Sequence, residues 1–224
     1  MNTSRILTGR SRRHGFTKVE VSAIIACLVL LLALILPMLA KQKRYSSRVG
    51  CVNHLKNVGL AARIFATDNE GLYPWQQTVT NGGTKELLAP PWHVAPHFQG
   101  ISNELSNPRT LWCPDDQERQ AATNFATLTD ANVSYFIGLD ATEESPQSIL
   151  SGDRHLTVDG ANARPGLLTL TSTNQLGFSR QLNSQGGNLL FGDGSVQRAP
   201  PAQLNGYPKA ALGATNSSIR LLIP

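Results

Sequence analysis

Several things are scarce in this chain of 224 residues, and each scarcity narrows the reading. Residues 21–40 carry no charged side chain, and residues 1–15 carry no acidic one. There are three cysteines, Cys27, Cys51 and Cys113, and their spacing fits no zinc motif. His54 stands three residues after Cys51, a lone pair that reads as an exposed helix residue. His-Glu-x-x-His, Gly-x-Ser-x-Gly and phosphate-loop motifs are all missing, as is an EF-hand loop. An enzyme reading is therefore left with His93, His97, His155 and scattered acids. Trp75, Trp92, His93 and His97 are expected to pack in the head instead.

The net charge of +5 and pI near 9.4 suggest a nucleic-acid partner at first sight. The distribution excludes it. Arg5, Arg10, Arg12 and Arg13 all precede the apolar run; without them sixteen basic residues face fifteen acidic ones. Of those sixteen, Lys41, Lys43, Arg44 and Arg48 follow the run closely. Both clusters flank a membrane segment, where cations favour anionic head groups. No basic stripe remains for nucleic acid.

The uncharged residues 21–40 span ~30 Å as a helix, the thickness of a bilayer's hydrocarbon core. The run is longer than the apolar part of a secretory signal peptide. It ends in Lys-Gln-Lys-Arg rather than at a small-x-small cleavage site. This is an uncleaved anchor. Cations on both sides leave its orientation open.

Gly15-Phe16-Thr17-Lys18-Val19-Glu20 lies directly before the run. With the basic leader, the Glu five residues from a new N-terminus, the long apolar helix and Pro37, it resembles the prepilin signature of the type IV pilin-like and type II secretion pseudopilin family. The resemblance implies cleavage between Gly15 and Phe16 by a prepilin peptidase and N-methylation of Phe16. It also implies a single-pass inner-membrane protein with an extracytoplasmic head, carried into a periplasmic or surface fibre with other pilin-like subunits. Lys18 departs from the pattern, standing where the family has an apolar residue. A carboxylate at the start of a membrane helix is functional by default. For Glu20 the resemblance implies the Phe16 amine of a neighbouring subunit as the partner; the local alternatives are a solvated Glu or a pair with Lys18.

Beyond the lipid segment, Val52, Leu55, Val58, Ala62 and Phe65 recur at three- and four-residue steps, one face of a continuing helix. Asp68-Asn69-Glu70-Gly71 and Pro74 stop it. The expected organisation is a leader over 1–15, a helix over 16–69 and a loop-rich head over 70–224. The fold class is α+β: a long helix, half in lipid and half amphipathic, packed on a mainly antiparallel sheet. Strands are expected over 132–138, 166–170 and 218–223. A hairpin is expected over 188–197 with a tight Asp193-Gly194 turn, both residues at positive φ.

Several head segments extend the resemblance in order along the chain: Cys51-Val52-Asn53-His54-Leu55, Cys113-Pro114-Asp115-Asp116, Ser134-Tyr135-Phe136, Ile149-Leu150-Ser151-Gly152-Asp153 and Phe191-Gly192-Asp193-Gly194. Asn183 stands where related heads carry a His. In an oxidising compartment Cys51 and Cys113 can pair, with Thr110-Leu111-Trp112 running as a short strand onto the helix and Pro114 stopping it; separate thiols are the alternative. Asp153, Asp159 and Asp193 are candidate ligands for a hard cation such as calcium, although no cofactor is expected. The reading is a structural assembly subunit rather than an enzyme. Its rivals are a type IV pilus subunit, an anchored extracytoplasmic binding module that never polymerises, and an anchored hydrolase.

Overall fold

A computed structural model describes Gly15, residues 17–179, 186–199 and 218–224, with backbone alone for 37–45. The leader residues 1–14, Phe16 and Asn183 lie outside the described residues, as do the side chains of Pro37, Lys41, Lys43 and Arg44. The architecture is α+β, with an N-terminal apolar helix and a mainly antiparallel sheet. The longest element, α1, covers Lys18–Asp68. The chain divides into two compact units, Met1–Lys43 and Arg44–Pro224.

In the first unit the described apolar segment is Lys18–Leu36. Its mean hydropathy is 2.9 and none of it is buried. Leu, Ile, Val and Ala occupy every face, so no rotation of the helix hides them. Leu30 and Leu34 are about two-thirds exposed. Cys27 is exposed with its neighbours. By length and composition this is a helix able to cross a membrane.

The second unit is built on a six-stranded sheet in the order β5-β9-β1-β2-β7-β8. Its strands are β1 (Tyr135–Gly138), β2 (Ile149–Asp153), β5 (Gly166–Thr171), β7 (Gly187–Phe191), β8 (Val196–Ala199) and β9 (Ser218–Ile223). All its pairings are antiparallel. A three-stranded sheet joins β3 (Leu156–Val158), β4 (Ala161–Asn162) and β6 (Leu176–Phe178). Two short helices, α2 (Ala95–Gln99) and α3 (Ser102–Leu105), lie in the long connection before β1.

The period-2 alternation of strand side chains divides the core. Tyr135, Ile137, Leu150, Leu190 and Leu222 join Cys51, Leu55, Val58, Ala62 and Phe65 of α1 in one cluster. Phe136, Leu189, Leu221 and Ile223 point the other way, onto Leu156, Leu176 and Phe178 of the smaller sheet. Central strands covered on both faces read as unbroken apolar runs, which explains Asn188-Leu-Leu-Phe and Arg220-Leu-Leu-Ile. Gly59 marks the closest approach: a Cβ there would meet Leu190 Cδ1 at 2.7 Å.

The tight Asp-Gly turn falls at Asp159-Gly160, not at the expected Asp193-Gly194. Asp159-Gly160 joins β3 to β4 with φ of 51° and 83°, directly between the paired residues Val158 and Ala161. That is the tight two-residue turn. At Asp193-Gly194 only Gly194 has positive φ, 82°. There Gly194 N–H donates to Phe191 O and Phe191 N–H to Ser195 O, closing a longer loop. Residues 110–113 also differ from expectation. Instead of a strand, Pro108–Leu111 form a 3₁₀ turn whose Arg109 N–H donates to the Asn107 side chain.

Candidate functional site

At the membrane end, Gly15 is exposed and a Cβ there would meet nothing within 4 Å. Glu20 lies in the first turn of α1 and its carboxylate is held locally. Thr17 N–H and Oγ1–H donate to Glu20 Oε2 at 2.8 and 2.9 Å, while Glu20 N–H donates to Thr17 Oγ1 at 3.3 Å. This reciprocal arrangement is a capping box. The sequence carries it openly as Thr-x-x-Glu before an apolar run, a signal the reading above passes over. Glu20 is also exposed, as the solvated alternative expects, and no Lys18 pair forms among the described residues.

Cys51 and Cys113 form a disulfide with Cα atoms 4.7 Å apart. It ties α1 to the segment 62 residues later in the chain. His54, one turn on, is half-buried rather than exposed; its Nδ1–H donates to Trp112 O at 2.7 Å. Tyr135 OH donates to Cys51 O at 3.2 Å, so β1 also grips this turn of helix.

A cluster of charged side chains gathers around Asp116. Asp116, nearly fully buried, accepts from Arg154 Nε and Nη2 at 2.8 and 3.1 Å. Arg154 Nη2 also bonds Glu118 Oε2, and His155 Nε2 stands 3.7 Å from Asp116 Oδ1. Among the described residues, Asp116, Glu118 and His155 are the grouping whose ligand atoms come within 4.8 Å of one another. Arg154 already lies against the two oxygens a metal would use, so the cluster carries its own cation. Burial pushes the Asp116 carboxyl up, but the Arg154 hydrogen bonds and charge outweigh it and hold the group below the usual carboxylate range.

The three acids considered for calcium do not converge. Asp159 Oδ1 and Oδ2 accept from Gln175 N–H and Asn174 Nδ2, pinning the β3–β4 turn to the approach to β6. Asp193 Oδ1 accepts from Ser195 N–H, and its carbonyl accepts from Arg63 Nη1 on α1. Asp153, at the end of β2, is buried; its Oδ2 accepts from Asn188 N–H and Nδ2 at 2.8 and 3.0 Å. Its Oδ1 has no partner. Burial, partly offset by Asn188, pushes this carboxyl up to about 7.

The histidines divide similarly. His97 is fully buried against Thr84 Oγ1 at 2.7 Å, while His93 is exposed on Asp130 at 2.8 Å. Trp75 is buried and Trp92 half-buried. Comparison of the chain with protein-family models, with curated proteins and with solved structures returns no match.

Proposed function

We propose that this chain is a membrane-anchored, pilin-like assembly subunit of a type II secretion or related fibre. In this reading a prepilin peptidase cleaves between Gly15 and Phe16, and α1 is stored in the membrane until subunits pack side by side. The observation that carries the reading is an acid, Glu20, at the mouth of an all-round apolar helix, directly after the Gly15-Phe16 junction. A simple anchor needs neither. The Glu20 carboxylate then pairs with the Phe16 amine of a neighbour and sets the axial register between subunits.

One observation favours a second reading, an anchored binding module that does not polymerise. Thr17 already satisfies Glu20 Oε2, so a helix cap alone can account for the acid. Glu20→Val separates the two. A fibre subunit carrying it stays in the membrane but fails to enter fibres recovered from cells. Fibre incorporation equal to wild type contradicts the charge-pair account.

A further inference from the structure

The second unit contains a pocket of about 140 Å³ lined in part by Arg48, Val49, Val52, Asp115, Asp153, Arg198 and the Cys51–Cys113 disulfide. A void of roughly 10–15 Å³ admits one water, so this space is ligand-sized. The lining is apolar at the two valines and the disulfide, and carries both signs of charge at Arg48, Arg198, Asp115 and Asp153. Asp153 is 5% exposed, and its Oδ1 is a buried polar atom without a hydrogen-bond partner among the described residues. A buried acceptor left unmade is costly, so a ligand that brings a donor there gains more than it would at the surface.

The charges restrict what that ligand is. Two guanidinium groups disfavour a bare metal cation, and two carboxyl groups disfavour a bare anion. A compact zwitterion satisfies both. Arginine favours phosphate, whose oxygens it contacts in pairs. Arg48 and Arg198 each make other contacts, and a guanidinium has donors enough to share. Arg48 follows the membrane-length segment by twelve residues in sequence, counted from Leu36, which brings phospholipid headgroups into consideration. We propose that this pocket binds a phosphoethanolamine group, its ammonium donating to Asp153 Oδ1 and its phosphate set between Arg48 and Arg198. The group's source is either a lipid headgroup or a free phosphate monoester. The lipid source rests on the membrane-anchored reading above, but not on processing or fibre assembly.

The test uses the full chain purified in a maltoside detergent at pH 8, above the value of about 7 to which burial pushes Asp153, so that Oδ1 is an acceptor. Calorimetric titration with O-phosphoethanolamine gives saturable binding. O-phosphocholine, whose quaternary nitrogen has no N–H to donate, binds about tenfold more weakly, the loss of one hydrogen bond to a charged group. Asp153→Asn and Arg198→Gln each weaken phosphoethanolamine by a similar factor. Arg198 is exposed, so its variant decides the matter if Asp153→Asn fails to fold. Equal binding of the two ligands, no saturable binding of either, or an Arg198→Gln protein that binds like wild type overturns the proposal. Nanodiscs then separate the sources. A rise in melting temperature in phosphatidylethanolamine over phosphatidylcholine discs, abolished by Arg198→Gln, assigns the lipid; soluble binding without that rise assigns the free ester. Because the purified chain is tested directly, failure here leaves the fibre reading intact, and failure of Glu20→Val to block assembly leaves this site intact.

Discussion

The two ends of α1 are made of similar residues and meet opposite fates. Between Lys18 and Leu36 apolar side chains point in every direction and none is buried. From Cys51 to Ala66 they form a stripe, and Leu55, Val58, Ala62 and Ala66 are buried to 2% or less. Lys56 and Arg63 lie on the other side. A one-sided stripe can be answered by a sheet from the same chain. An all-round surface cannot, so it needs a second solvent, and lipid is the one with the right chemistry. The contrast comes from the pattern of apolar positions, not from their number.

The sharpest break in that contrast is expected at the disulfide, which fastens only the second stretch. Replacing both Cys51 and Cys113 with Ala opens a loop of 62 residues and lowers the head's stability by about 4 kcal/mol in the chain-entropy model. Urea denaturation followed by tryptophan fluorescence measures it. Next comes Leu55→Ala, which leaves a cavity between α1 and the sheet and costs about 3 kcal/mol. Leu30→Ala, in the exposed stretch, leaves the same denaturation curve in place. If the two leucine variants unfold alike, the contrast is wrong.

Much of this was legible in advance. The helix, its buried stripe, the strands expected over 132–138, 166–170 and 218–223 and the hairpin expected over 188–197 follow from periodicity and turn residues, although the first strand begins only at Tyr135, after a 3₁₀ turn at Asp130–Asn132. Other features were hidden because they depend on tertiary partners. Nothing local distinguishes Asp159-Gly160 from Asp193-Gly194; register and loop hydrogen bonds decide which turn is tight. The Asp116, Glu118, Arg154 and His155 cluster joins residues 36 and 38 apart in sequence and follows no motif. The second sheet was unread because β3, β4 and β6 are two or three residues long.

The pH dependence of the head sharpens the comparison, because the titrating groups sit in the second unit. Burial pushes His97 down to about 4, with Asp130 pulling weakly the other way. Between pH 6.5 and 4 the unfolded chain takes a proton the folded one refuses, so acidification destabilises. Asp153 acts in the opposite sense. The folded state keeps its proton up to about 7, while an ordinary carboxyl sheds it near 3.8, so stability falls as pH rises across that window. Asp153→Asn removes this loss and is expected to raise stability at pH 8 relative to pH 5, with a ceiling of roughly 3 kcal/mol because the loss between those values runs only from pH 5 to about 7. Denaturation midpoints at the two pH values check it. The smallest effect belongs to Thr17→Val, which deletes half the capping box and costs about 1 kcal/mol of local helix stability. Hydrogen exchange at residues 17–20 in detergent reads it, with the head unchanged.

The claim that joins both ends is that the leader is removed so that the apolar stretch begins at a new, charged N-terminus beside Glu20. Intact mass of the protein extracted from membranes of cells with an active prepilin peptidase tests this most directly. The account predicts a chain that begins at Phe16 and carries one extra methyl group. A mass that retains residues 1–15 contradicts it.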